Sequence, residues 1–377
     1  MSIQRNSVES TTIDMLRYLM AFLVVMMHAA IGMSISQHAG ESLLLSGSQN
    51  FCEMGGEILY VIICRLLSQL AVPAFFFISG YFYFTKYHEH NPTTYKSKNR
   101  ARLKSLVMPY IVWNAIFMIV SFLTDKILLQ STIADFLQEN GGIRLFWDCG
   151  RDSISKNLLE VEMPKDRCPI DGPLWFMRDL IMLSLVSPLI LFLSKYAGKI
   201  GLIVMAALMV LNIWFPFTFI TSVGFFFFWL GAYFQINDVS IFSPNRRRRT
   251  LQHIAAIVVF LVAVMLYGRS ETLDYYFYRI FTVVGIFSLF DFALLLVKKL
   301  NINPIEGISE CSFFIYAAHL GSILMIVKKI VTALSLESYP VVEWILVSVL
   351  VVCTLTLAYY IFKKYLPKVL SVLTGGR

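Results

Sequence analysis

No stretch of this chain is polar enough, for long enough, to build a water-soluble domain with a core of its own. Only 15% of its 377 residues are charged, while 57% are hydrophobic and the mean hydropathy is +0.68. Those values lie well outside the usual range of a soluble domain. The 6 cysteines (Cys52, Cys64, Cys149, Cys168, Cys311 and Cys353) show no CxxC and no Cys/His spacing, so no structural metal is expected. There is no periodic repeat, no low-complexity tract and no pair of homologous halves. The formal net charge of +8 does not imply nucleic acid, because the run Arg246 to Arg249 lies between two apolar segments and reads as an inside-facing loop.

What is present is a series of apolar segments. Ten are expected, near 13–33, 58–84, 106–124, 174–194, 200–216, 221–236, 251–267, 275–297, 311–327 and 341–362. The fifth and sixth are short, with Pro216 between them, and are expected to be tilted or to join as a re-entrant pair. With the N-terminus inside, nineteen Lys and Arg fall in inner segments and nine in outer ones, six of those nine in one long loop. That bias places both termini in the cytoplasm. The expected fold is an all-α polytopic membrane protein of about ten transmembrane helices. Residues 1–377 form one membrane domain, with a long extracytoplasmic loop at 125–172. A cleavable signal peptide is the rival reading of the first segment, but Glu9, Asp14, Arg17 and His28 interrupt its pattern, so a retained anchor is expected.

Ionisable residues inside spans point to the chemistry, since they are expensive in lipid and usually face protein or water. Arg17 and His28 are eleven positions apart in the first span, on one helix face and about 16 Å apart along the axis. Asp14, three residues before Arg17, is expected to orient it. Pro73 is expected to kink the second segment, and Ser79-Gly80 permits close helix approach. The inner loop from Lys86 to Lys104 carries Arg100, Arg102 and Lys104. They read either as a positive-inside anchor or as a collector of ligand phosphates. Trp175 suits an outer aromatic belt, and Arg178 and Asp179 pair with each other or with other spans. Arg279 and Asp291 are expected to pair mutually or across helices. Tyr316 and His319, at i and i+3, share a face. In the long loop, Cys149 and Cys168 could form a disulfide or remain two thiols; sequence leaves both open.

These residues resemble the integral-membrane acyltransferase-3 family. Arg17 and His28 match its R-x(10)-H pattern, and Phe75 to Tyr81 (FFFISGY) resembles its FFxxSGF signature. The basic run before Pro109-Tyr110 resembles its arginine motif. Pro173 to Phe176 (PLWF) and Ser312 to His319 (SFFIYAAH) match other family stretches. The order is the family's and covers nearly the whole chain. The arginine motif departs from RxxR, since Arg102 is followed by Lys104 and Ser105. A fused SGNH esterase-like domain, frequent in the family, is not expected here.

The resemblance implies an O-acyltransferase of the bacterial inner membrane. It would move an acyl group, usually acetyl, from cytosolic acetyl-CoA to a hydroxyl of an envelope carbohydrate or lipid-linked glycan. On that reading His28 is the catalytic base or a covalent acyl carrier. Arg17, Arg100, Arg102 and Lys104 bind the acyl-CoA co-substrate. Asp14, Ser79, Tyr81, Trp175, Arg178, Tyr316 and His319 support the site or the acceptor. Membrane lipid, acyl-CoA and the glycan are the expected partners, with no nucleic acid and no permanently bound cofactor; homo-oligomerisation stays open. The competing readings are a transporter or flippase of a sugar or lipid-linked glycan, which also uses buried charges and broken helices, and a non-catalytic subunit of an envelope assembly.

Overall fold

The computed structural model describes residues 7–31, 51–85, 92–129, 132–133, 142–148, 153–156, 162–165, 168–213, 220–243, 245–267, 269–302, 308–334 and 339–376. The described chain is helical apart from a two-stranded antiparallel ribbon in the long loop, β1 (Ser153–Lys156) and β2 (Glu162–Lys165), with Ser153 opposite Lys165. It divides into two compact units, each assembled from separate pieces of chain. Among the described residues, six helices are long and apolar enough to cross a membrane. Two bent helix pairs raise that number to eight if each is one span, and two further apolar helices are short. This is a multi-pass membrane protein.

The first unit comprises residues 1–75, 238–313 and 326–354. Its centre is α1 (Ser7–Ala30), whose Ile13, Leu16, Met20 and Val25 are buried. Beside α1 runs the second span. It opens as α2 (Phe51–Tyr60), loosens into a π-helical stretch at Val61–Leu67, tightens into a 3-10 turn at Ser68–Leu70, and continues as α3 (Ala71–Tyr83). Pro73 accounts for the 3-10 turn at Ser68–Leu70: a proline has no N–H for the carbonyl four residues earlier, and its ring crowds that carbonyl, so the deformation falls in the turn before it. The π-helical stretch at Val61–Leu67 lies further upstream.

Helix α9 (Arg246–Leu266) and helix α10 (Glu271–Leu300) complete this unit with parts of α11 (Ile308–Ala318), α12 (Ser322–Thr332) and α13 (Pro340–Tyr365). The four arginines expected in a loop are the first residues of α9, entered through Asn245, whose side chain accepts the Arg247 N–H at 2.9 Å. On α9 the exposed Leu251, Ile254, Val258, Leu261 and Met265 recur every three or four residues and form one apolar stripe. In a bilayer that stripe faces lipid. Arg279 and Asp291 do not pair with each other. Twelve residues on one helix separate them, so Arg279 lies over the Tyr275 and Tyr278 rings while Asp291 accepts the Ser243 N–H at 2.8 Å.

The second unit comprises residues 76–237, 314–325 and 355–377. It holds the end of α3, α4 (Pro92–Leu129), α5 (Trp175–Leu185), α6 (Ser187–Tyr196), α7 (Gly198–Val210), α8 (Ser222–Ile236) and α14 (Pro367–Thr374). The inner basic stretch expected as a loop is helical from Pro92 onward. The fourth expected span bends by 67° between α5 and α6, where Pro188 restarts the helix. Pro216, between the short α7 and α8, lies outside the described residues. Helices α3 and α8 cross backbone to backbone. A Cβ on Gly80 would strike the Phe228 carbonyl, and one on Gly231 would strike the Phe77 carbonyl. That close approach is what Ser79-Gly80 provides.

Candidate active site

Helix α1 carries the first group of candidates. Arg17 Nη1 donates to Asp14 Oδ1 at 3.4 Å, both side chains about one-third exposed, so the expected orienting pair is present. Near the other end of α1, His28 Nδ1 lies 3.0 Å from the Val24 carbonyl oxygen. A carbonyl can only accept, so Nδ1 carries the proton and the basic lone pair lies on Nε2. In the neutral ring, Nε2 is then the nitrogen that can take up a proton.

The end of α1 is also held from outside. Trp344 Nε1 donates to the Met26 carbonyl at 2.8 Å and Ser68 Oγ to the Leu23 carbonyl at 3.1 Å. Gln69 Nε2 reaches the Met27 sulfur at 3.6 Å, and Lys328 Nζ donates to the Ile31 carbonyl at 2.6 Å. Ser68 and Gln69 come from the 3-10 turn of the second span, so the irregular stretch before Pro73 is what aims polar side chains at α1. Lys328 brings a cation to the His28 end of the helix. Sequence gave no signal for it, because it lies hundreds of residues away on α12.

The second group lies in the other unit. Ser79 and Tyr81 are half-buried on α3, and Tyr81 stacks near Phe77 at 6.5 Å between centroids. On α4, Arg100 and Lys104 are exposed and one turn apart, while Arg102 is half-buried on another side. Helix α14 packs beside this stretch. Trp113 Nε1 donates to the Leu373 carbonyl at 2.9 Å, and the left-handed Gly375 lies against the Ser105 carbonyl. The exposed Lys363, Lys364 and Lys368 immediately precede or begin α14.

A buried polar cluster surrounds the start of α5. Arg178 binds Asp179 Oδ1 through Nε at 3.2 Å and Nη2 at 3.1 Å, with side chains 2% and 0% exposed. Arg178 also donates to the Trp147 carbonyl at 3.0 Å and lies over its ring, while Asp179 Oδ2 accepts the Thr221 N–H at 2.8 Å. Tyr316 donates its hydroxyl to the Pro173 carbonyl at 2.6 Å. His319 Nδ1 donates to the Tyr316 carbonyl at 2.7 Å, beyond the last residue of α11. There it helps close the helix before Gly321, whose φ of +78° turns the chain by 85° into α12. Trp175 is half-buried, 6.0 Å from Phe76.

Asp171 and Asn114 were missed from the sequence and belong to this cluster. Asn114 Oδ1 accepts the Asp171 N–H at 3.2 Å, and both residues are fully buried. Among the described residues no group of three or more His, Cys, Asp or Glu could hold a metal ion. Cys149 lies outside the described residues, and with it the question of a pairing with Cys168.

A family model described as "Acyltransferase domain" (Acyl_transf_3) matches residues 11–363, nearly the whole chain. The chain belongs to that family. Its relatives include the "Succinoglycan biosynthesis protein ExoH" of Rhizobium meliloti (strain 1021), 22% identical over 372 residues, which are 98% of this chain and 92% of that protein. No solved structure matches. As a member of the family, the protein is a membrane acyltransferase, which sets the transporter and structural-subunit readings aside.

Proposed function

We propose that this acyltransferase moves an acetyl group from cytosolic acetyl-CoA to a hydroxyl of an envelope polysaccharide or glycolipid, with His28 as general base. The observation that carries the reading is the His28 tautomer, an imidazole held by the Val24 carbonyl so that its lone pair is on Nε2. A thioester is already activated, so the component the reaction lacks is a base for the acceptor hydroxyl. His28 takes the hydroxyl proton as the oxygen attacks the thioester carbonyl carbon. The C–S bond then breaks, and coenzyme A leaves as a thiolate that takes the proton back from the imidazolium. The end of α1 that holds His28 is fixed by Trp344, Ser68 and Lys328, which keeps the base in place.

Coenzyme A is anionic, and the basic end of the second unit suits its phosphates: Arg100 and Lys104 on α4, with Lys363, Lys364 and Lys368 beside α14. In the first unit, Arg17, paired with Asp14, is a separate candidate for an anionic group of the donor. The polysaccharide acceptor takes support from the relative's role in succinoglycan biosynthesis. The inner membrane is the location that fits a cytosolic donor and an envelope acceptor, and both termini are then cytoplasmic.

The test is release of free coenzyme A by purified protein in nanodiscs, supplied with acetyl-CoA and a glycan extract of the host envelope. Release that depends on the extract and drops at least a hundredfold in His28→Ala, while the variant stays monodisperse, is the expected result. Donor binding without release, unchanged in His28→Ala, would overturn the reading. Transient acetylation of His28 on mixing with donor alone would make it a carrier instead of a base.

A further inference from the structure

Asp171 stands where a helix-capping aspartate would stand, yet its side chain caps nothing. It precedes the 3-10 turn Gly172–Leu174 with φ −83° and ψ 90°, and no capping bond forms. Its backbone is fully used. The carbonyl accepts the Leu174 N–H at 2.9 Å and the N–H goes to Asn114 Oδ1 at 3.2 Å. Both carboxyl oxygens are buried and have no hydrogen-bond partner among the described residues. Buried polar groups are rarely left so, and an exception calls for a reason.

The neighbouring groups are committed elsewhere. From α5, Arg178 is bound to Asp179, and Asp179 also holds the Thr221 N–H. From α11, Tyr316 gives its hydroxyl to the Pro173 carbonyl. From α4, Asn114 Nδ2 donates to the Tyr110 carbonyl, and the Tyr110 hydroxyl goes to the Phe146 carbonyl. The segment Gly142–Phe146, followed by the buried Asp148, packs on the turn through the Ile170 N–H to the Leu145 carbonyl at 2.8 Å. Burial, with no guanidinium of its own, pushes the Asp171 carboxyl up to about 8, so at neutral pH it carries its proton. A protonated carboxyl offers one donor and an acceptor, the pair that a sugar hydroxyl also offers. Four residues on, Trp175 presents a half-buried indole.

We propose that the Asp171–Trp175 turn is the acceptor subsite, in which the uncharged Asp171 carboxyl hydrogen-bonds a hydroxyl or ring oxygen of a sugar lying against Trp175. It takes a neutral part of the acceptor, because the guanidinium of this cluster, Arg178, is already bound to Asp179 and is not offered to a carboxylate or phosphate. The reaction served is the acyl transfer proposed above; the subsite adds which residues hold the acceptor and that their contact is uncharged.

The test measures coenzyme A release against the amount of host glycan extract, from pH 7 to pH 9, in wild type, Asp171→Asn and Asp171→Leu. Deprotonation removes the donor and adds a negative charge, so in the wild type the half-saturating amount of extract rises as pH climbs through about 8. Asp171→Asn keeps a donor and an acceptor. It is expected to bind the extract more weakly than wild type at pH 7 but to stay flat to pH 9. Asp171→Leu is expected to raise the half-saturating amount about tenfold, with donor saturation unchanged. An alkaline rise in Asp171→Asn equal to the wild type's, or an unchanged half-saturation in Asp171→Leu, overturns the proposal. Should Asp171→Leu fail to fold, the Asp171→Asn pH profile decides alone. Should wild type release no coenzyme A with any extract, the donor reading fails. The subsite is then judged by whether the extract quenches tryptophan fluorescence in wild type and about tenfold more weakly in Asp171→Leu.

Discussion

Arg178 is the candidate whose role a single experiment can separate from chemistry. Its guanidinium and the Asp179 carboxylate are 2% and 0% exposed and 3.1 Å apart. At that distance, with an effective dielectric of about 20, the attraction is about 5 kcal/mol. Desolvation offsets much of it, so the pair as a whole adds little net stability, but removing one member leaves the other charge buried and uncompensated. Arg178→Met is therefore expected to cost about 3–5 kcal/mol. Asp179→Asn should cost less. Asn can still accept the Thr221 N–H through its side-chain oxygen, and Arg178 keeps the Trp147 carbonyl and ring. The double variant Arg178→Met/Asp179→Asn should recover about 1–3 kcal/mol relative to the sum of the singles. Equilibrium unfolding in mixed micelles by tryptophan fluorescence reads all three, with coenzyme A release measured beside it. A loss under about 1 kcal/mol in Arg178→Met, together with abolished acyl transfer, would refute the pairing argument and make Arg178 a substrate-binding group.

Two further outcomes follow from the packing. Gly80→Ala and Gly231→Ala each drive a methyl into the facing carbonyl of the α3–α8 crossing. Each should lose about 1–3 kcal/mol in the same unfolding assay, and wild-type stability in both would mean the helices do not cross there. Trp344→Phe keeps an aromatic ring but loses part of the indole volume and the N–H that binds the Met26 carbonyl. It should cost about 1–3 kcal/mol and lower the turnover of acetyl-CoA without changing donor saturation. An equal fall in donor binding would show that the end of α1 serves the donor instead of the base.

Much of the protein was legible in the sequence because the bilayer imposes rules that act locally. A spanning helix must satisfy its own backbone and show apolar side chains to lipid, so hydropathy finds α1, α9, α10 and α13 to within a few residues. The Asp14–Arg17 pair is likewise local, since residues three apart on a helix are neighbours. Family motifs fixed the class of reaction, and the match from residue 11 to 363 bears that out.

Local rules failed where two distant parts of the chain share a polar group. Of the two pairings open to Arg279 and Asp291, the mutual one does not form: Arg279 lies over two tyrosine rings of its own helix, and Asp291 accepts the Ser243 N–H from a segment 48 residues away. The four arginines and the stretch after Pro92 look like loops by charge, yet helical hydrogen bonding continues through them. The irregular stretch before Pro73 and the sharp turns at Pro188 and Gly321 set where spans break, and the first of these aims Ser68 and Gln69 at α1.

By itself, then, the sequence determined a multi-pass helical acyltransferase with an imidazole and an arginine on one face of its first span. Only the tertiary structure decided the fixation of the His28 end of α1 by Trp344 and Lys328, the Trp147 and Thr221 partners of the Arg178–Asp179 pair, and an aspartate at 171 whose carboxyl has no hydrogen-bond partner among the described residues. Whether a buried polar atom is satisfied depends on contacts between residues dozens to hundreds of positions apart, and no local pattern encodes them.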